Sequence, residues 1–366
     1  MRASALNNLA KAPEFADWRW QVANTLSSAA ELAEYLKLTD SELGALQNPD
    51  LKFKAKITPH YLSLMNPEDS DDPLRKMVIP RSEEFTAQPH DLSDPLAEEE
   101  FSPVKNLVRR YPDRAVLISS NICPVNCRFC TRRRIFAEER GAIGEGELEE
   151  TLAFLQRTPE ICELIISGGE FLLFSDRRIG EVLSRVRKNP HIGVIRIGAR
   201  SLAALPQRFT PKLVKILAAF SPLFVQSHIN HPAEFSEESA EAIAALVDAG
   251  IPVNNQTVLL KGVNDDAETL VRLNRLLLEH RVRPYYLFHC DQTVGNSHFR
   301  TSITEGVEII KAMEGRVSGL IIPHYAVDIT GGGGKVSVAP RRIIAEDEER
   351  YTIVNYEGKV FKMKKP

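Results

Sequence analysis

The chain has 366 residues, enough to bury a large core as one big domain or two ordinary ones. Its 46 basic and 49 acidic residues leave a net charge of −3, which gives no general attraction to nucleic acid or to an anionic membrane. The 5 cysteines are odd in number and three crowd into one loop, which argues against a disulfide framework and for a reducing cytoplasm, and no apolar run approaches a membrane span.

Residues 1–100 read as helical and polar. Helix-like spacing covers Trp18–Ala33 and Thr39–Leu46, with Thr39 and Ser41 as candidate caps. Two segments rich in proline and acid, 66–73 and 88–95, read as loops. A boundary is expected near Phe101. From there strands and helices alternate. Strands are predicted at 115–119, 164–166, 194–197, 223–226, 258–260, 285–288 and 320–322, the last running on to Val327. Helices are predicted at 147–156, 178–186, 211–219, 237–249, 268–280 and 305–313. Repeated β-then-α units imply a parallel sheet with right-handed crossovers. About six such units point to a partial or complete α/β barrel, and no GxGxxG follows the first strand. The expected division is a helical region (1–100), a barrel (101–328) and a short C-terminal segment (329–366).

The chemistry-bearing residues fall repeatedly at strand ends, where a β/α barrel gathers its working groups. Cys123, Cys127 and Cys130 form a C-x3-C-x2-C loop after the first strand. Three close thiolates suit an iron–sulfur cluster, and three ligands leave the fourth iron of a cubane open. A structural zinc completed by a distant ligand is the alternative, although no second C-x2-C pair exists. Cys162 and Cys290 are isolated and read as core or pocket-wall residues. Ser167, Gly168, Gly169 and Glu170 follow the second strand, offering backbone N–H groups and a carboxylate that can accept from an ammonium. Arg200 follows the third strand, His228 the fourth, Asp291 the sixth and Asp328 the last. Gly331 to Gly334 read as a flexible loop presenting Lys335, an amine able to form a Schiff base with pyridoxal phosphate. A surface loop or a phosphate cradle is the alternative. Arg110 and Arg114, flanking Tyr111, are a candidate phosphate clamp, and Arg132 a candidate carboxylate clamp.

Taken together, these motifs resemble the lysine 2,3-aminomutases, radical S-adenosylmethionine (SAM) enzymes that also use pyridoxal phosphate. The likeness spans roughly Trp18 to Pro340. It rests on the segments 17–21, 57–64, 110–114, 130–134, 205–208, 230–232, 283–286, 295–301 and 327–335. The resemblance implies a partial (β/α)6-type parallel barrel with an N-terminal helical extension. It implies that Cys123, Cys127 and Cys130 hold a [4Fe–4S] cluster. SAM would chelate the open iron, lined by Ser167, Gly168, Gly169, Glu170, His228 and Gln256. Lys335 would carry pyridoxal phosphate, with Arg110, Tyr111 and Arg114 near its phosphate. Arg132 would bind the substrate carboxylate, and Asp291 and Asp328 the ε-ammonium of lysine.

The implied reaction is migration of the 2-amino group of L-lysine to C3. The alternatives are arginine, ornithine or a protein-bound lysine as substrate, and, from a different class, modification of RNA. An electron donor and a homo-oligomer are implied partners. Many family members have Asp where this chain has Glu170. A cysteine-bearing tail that binds zinc in some members is absent after Pro366, and Asp266 stands where its partner cysteine would be. No zinc is therefore expected.

Overall fold

The computed structural model describes residues 2–137 and 141–366. The N-terminal region holds α1 (Arg2–Ala10), α2 (Trp18–Ala23), α3 (Ala29–Tyr35), α4 (Asp40–Gln47), α5 (Pro59–Ser63) and α6 (Pro73–Val78). The single helix expected over 18–33 is thus two. Ser28 accepts from the Glu31 amide while the Glu31 carboxylate accepts from Ser27 and Ser28, a reciprocal cap that starts α3 afresh. Thr39 and Glu42 cap α4 in the same way. Ser41 is not a cap; it lies inside α4 and reaches Ser82 and Glu83.

The sheet begins with β1 (Leu107–Val108) and β2 (Arg114–Ser120). It continues through α7 (Glu145–Gln156), β3 (Glu163–Gly168), α8 (Asp176–Val186) and β4 (Val194–Ala199). Next come α9 (Ser201–Ala204), α10 (Pro211–Ala218), β5 (Leu223–Ser227), α11 (Glu237–Asp248) and β6 (Val253–Leu259). The last elements are α12 (Ala267–Glu279), β7 (Arg283–His289), α13 (Ile303–Met313), β8 (His324–Ile329) and β9 (Gly334–Ser337). The nine strands lie side by side in chain order. β2 through β8 run parallel, and β1 and β9 add antiparallel edges that do not pair with each other. This is an α/β partial barrel.

Several boundaries differ from expectation. Leu320–Ile322 is not a strand: residues Gly319–Ile321 make one 3-10 turn, and β8 starts at His324. An apolar run of three cannot by itself distinguish a strand from a packed turn. β6 starts five residues earlier than read, because Val253 is followed by the polar run Asn254–Thr257, which carries no apolar pattern. The expected boundary at residue 328 lies within β8 (His324–Ile329). The C-terminal segment forms a second sheet, β10 (Ile343–Glu346), β11 (Arg350–Val354) and β12 (Val360–Lys364).

Strand alternation explains where the site lies. Leu164, Ile166, Ile195, Ile197 and Val225 face outward and pack on α7, α8, α10 and α11 through Leu155, Leu183, Leu217 and Leu246. The intervening residues, among them Ile165, Ser167, Arg196 and Gly198, face a central cavity. The N-terminal helices form their own apolar cluster, which includes Val125 of the cysteine loop, Ala204 and Leu260.

That cluster also contains charge. Arg75 and Glu42 are both fully buried, with Nε–Oε1 at 2.7 Å. Removing one member leaves an uncompensated charge, which typically costs about 3–5 kcal/mol. We expect Glu42→Ala to destabilise the chain by that order, read as a fall in the urea midpoint with an unchanged slope.

Candidate active site

A cavity of about 510 Å³ runs through the barrel to its mouth. Of the residues expected at a site, Arg110, Tyr111, Arg114, the three loop cysteines, Arg132, Ser167–Glu170, His228, Asp291, Asp328 and Lys335 all line it. Gln256 is not among the lining residues; it sits on β6 on the same face as Val258, which is, and its backbone bonds the His228 ring.

The cysteine end of the cavity is built for close backbone approach. Gly169 lies against Ile122 of the cysteine loop, where an added Cβ would meet the Ile122 oxygen at 2.5 Å. The Gly169 amide donates to Ser120 and the Glu170 amide to Ile122. Arg200 Nε donates to Cys127 Sγ at 3.2 Å. Burial pushes the Cys130 thiol up to about 11 and Cys123 well above the usual thiol range. Among the described residues no three His, Cys, Asp or Glu converge on a single-ion position. The thiols instead share one loop facing the cavity.

Glu170 is buried, and its Oε2 accepts from the Ser201 amide at 2.9 Å. Its Oε1 is buried without a partner, and burial pushes the carboxyl up to about 7. An orphaned carboxylate oxygen beside three soft ligands fits an iron-bound ligand that carries an ammonium group. His228 is held neutral, its imidazole pushed down to about 4 by burial, with Arg200 and Arg132 adding to it.

The lysine end differs from expectation. The glycine run is not a free loop but the turn of a β8–β9 hairpin in which Asp328 and Lys335 are register partners. Gly331, Gly332 and Gly334 have φ of 78°, 80° and 87°, which side chains rarely adopt. Lys335 Nζ lies 4.0 Å from Asp328 Oδ2 and over the Tyr286 and Phe288 rings, at 4.7 and 4.2 Å. Its amide donates to Tyr111 Oη at 2.8 Å. Burial lowers the affinity of the Lys335 amine for its proton; Asp328 opposes that, and Arg110, Arg196 and Arg114 reinforce it. A less basic amine is what Schiff-base chemistry needs. Arg110 pairs with Asp328 at 3.0 Å, and Arg114 lies 3.8 Å above the Tyr111 ring.

The model of the radical SAM superfamily matches residues 117–273, and that of lysine-2,3-aminomutase matches 310–366. The chain is 40% identical over 350 residues to L-lysine 2,3-aminomutase of Clostridium subterminale, covering 96% of this chain and 84% of that one. It is 41% identical over 342 residues to the L-lysine 2,3-aminomutase of Acetoanaerobium sticklandii, covering 93% and 83%. A glutamate 2,3-aminomutase of Clostridioides difficile is 35% identical over 350 residues, covering 95% and 83%.

The chain belongs to the lysine 2,3-aminomutase family. It is a radical SAM isomerase, and the cofactors of its family are a [4Fe–4S] cluster, SAM and pyridoxal phosphate.

In this aminomutase Arg132 is already engaged. Its Nε lies 2.9 Å from Glu98 Oε1, its second guanidinium nitrogen 2.7 Å from the same oxygen, and its third 3.2 Å from Ser167 Oγ. Glu98 lies past the loop read at 88–95, in a region read only as helical and polar, and nothing local marks it as a cavity residue. Arg196 also lines the cavity, paired with Glu163 and with Nε unpartnered. A lone arginine inside the apolar strand Val194–Ala199 was its available signal. Cys162 is exposed and not a core residue, its thiol directed at the Asp113 carbonyl. Cys290 is buried.

Asp291 is buried at the lysine end, and burial, then the charge of Asp328, pushes its carboxyl up to about 7. An unfolded aspartate titrates near 4. Between those values the folded state holds the extra proton, so ligand-free stability falls as pH rises from about 4 to about 7. Asp291→Asn is therefore expected to gain stability over the parent at pH 8 and none at pH 4. Urea midpoints of both chains across that range test it; a parallel offset would count against it.

Proposed function

We propose that this chain moves the amino group of L-lysine from C2 to C3, giving β-lysine. The observation that carries the reading is the pair Asp291 and Asp328 at the end of the cavity that also holds Lys335. Asp328 has Arg110 and Lys335 as ion-pair partners, whereas buried Asp291 has no ion pair among the described residues; Asp328 and Glu98 oppose its charge, and Thr131 and Lys335 offset them only in part. A substrate ammonium supplies the missing positive charge. A side-chain carboxylate, as on glutamate, would add a further negative charge to the same spot.

Each residue then has a role. Cys123, Cys127 and Cys130 hold the cluster, and Glu170 Oε1 accepts from the SAM ammonium beside Ser167, Gly168, Gly169, His228 and Gln256. Lys335 carries pyridoxal phosphate, whose phosphate faces Arg110, Tyr111 and Arg114. Arg132, oriented by Glu98, keeps two N–H groups for the substrate carboxylate. Bound together, the cofactors supply hydrogen abstraction from carbon and electron delocalisation at the amino nitrogen. The apolar walls, Tyr286 and Phe288, exclude water from the reacting end. An external one-electron donor, a homo-oligomeric state and a cytoplasmic setting complete the proposal. The barrel (101–328) would start the radical and the segment from residue 329 would tether the second cofactor.

The test is anaerobic reconstitution with iron, sulfide and pyridoxal phosphate, followed by assay of lysine, arginine, ornithine and glutamate with SAM and a strong reductant. Lysine is expected to be turned over best; preference for another amino acid would replace the assignment. Loss of one member of a buried charge pair costs about 2–5 kcal/mol. Asp291→Asn should thus lower lysine turnover at least about thirtyfold while iron and pyridoxal phosphate still load. Undiminished turnover would remove Asp291 from substrate recognition. Borohydride reduction followed by peptide mapping should label Lys335, and a label elsewhere would refute its role.

A further inference from the structure

Arg200 is the first residue after β4 and is only 8% exposed, yet every guanidinium nitrogen has a partner. Nε donates to Cys127 Sγ at 3.2 Å, one terminal nitrogen donates to the His228 carbonyl, and the other donates to Glu234 and to Tyr61 Oη. Glu234 is fully buried and is itself fixed by Tyr61 Oη at 2.6 Å and by the Asn230 amide at 2.5 Å. The guanidinium therefore has one orientation, imposed by the N-terminal helix α5 on one side and the loop after β5 on the other. The next residue, Ser201, donates its amide to Glu170. One turn thus reaches both the cysteine loop and the carboxylate beside it.

We propose that Arg200 is a positioning residue that fixes Cys127 and sets the reduction potential of the cluster. The proposal rests on the cysteine assignment made above. A simple salt bridge to Glu234 needs no donor aimed at sulfur, whereas here the side arm of the fork points at a thiol. Reduction adds one electron from an outside donor, with no bond or proton changed at Arg200. The reduced cluster is the more negative, so a fixed positive charge and an N–H···S bond favour it and raise the potential. The guanidinium stays protonated at all working pH, and its burial keeps water from screening it. Glu234 acts in the opposite sense, offsetting part of that charge while holding it in place.

The experiment is a redox titration of the full chain, anaerobically reconstituted with iron and sulfide and read by electron paramagnetic resonance without SAM. Arg200→Lys keeps the charge but loses the directed bond, and Arg200→Gln loses both. At fixed solution potential the Lys variant should show about a tenfold lower reduced-to-oxidised ratio, about 59 mV for one electron, and the Gln variant a larger drop. Glu234→Gln should shift the ratio the other way, which a general loosening of the loop would not do. If the Gln variant does not load iron, the Lys variant decides. A Lys variant with full iron and the parent's potential overturns the proposal, as does one that folds without binding iron, since the role would then be structural. A parent chain that binds no iron would instead refute the cysteine assignment itself.

Discussion

Glu84 is buried and faces two arginines of the cysteine loop. Its oxygens lie 2.7 and 2.6 Å from Arg128 and 2.7 Å from Arg133. A loop carrying three cysteines over eight residues has little regular structure to hold it. Its shape depends on partners elsewhere in the chain. Arg128, fully buried, also donates to the Phe53 and Lys54 carbonyls, and Asn126 bonds Lys54 and Lys56. Charges so deeply buried are costly unless every lone pair and proton is matched. Here the matching fixes the loop before any ligand arrives. The N-terminal region supplies Tyr61 from α5, Glu84 from a 3-10 turn after α6, and the irregular stretch 53–56 that the loop leans on.

The same rule governs the rest of the mouth. Arg132 is oriented by Glu98, Arg134 by Asp94, Glu98 and Glu99, and Arg200 by Glu234. Burial of the strands' outer faces against the helices leaves only their inner faces free, and those carry the polar residues. The sheet therefore separates two tasks. Its outward residues provide stability and its inward residues provide chemistry, with period two as the only connection between them.

Local motifs were legible in the sequence because their chemistry is local. The cysteine spacing, the Ser167–Glu170 turn and the lysine after the glycines could each be read within a few residues. The β/α rhythm revealed the barrel for the same reason. What could not be read were pairings across large sequence distances: Arg132 with Glu98, Arg200 with Glu234 and Tyr61, and Gly331 with Pro95. Composition misled at the glycine run. Four glycines signal freedom, but three of them serve a hairpin turn that demands positive φ, and the register then places Lys335 opposite Asp328. Leu320–Ile322 misled in the other direction, an apolar run around a 3-10 turn that buries Ile321 and leaves Leu320 exposed.

The lysine end of the cavity gathers Arg110, Arg114, Arg196 and Lys335 together with Asp328 and Asp291. Arginine forks with spare donors suit an anion such as a phosphate, while Asp291 has no ion-pair partner among the described residues, Lys335 acting on it only at a distance. Two ligands of opposite charge therefore complement this end better than one. With its carboxyl pushed up to about 7, Asp291 holds a proton in the ligand-free chain through much of the acid range. Below about pH 7 a cation binding there would displace that proton, so in that range cation binding is coupled to proton release. On the proposed reading, a substrate with a neutral side chain is disfavoured. Such a substrate could leave Asp291 protonated, but it would forgo the charge pair that makes up for burying the carboxylate.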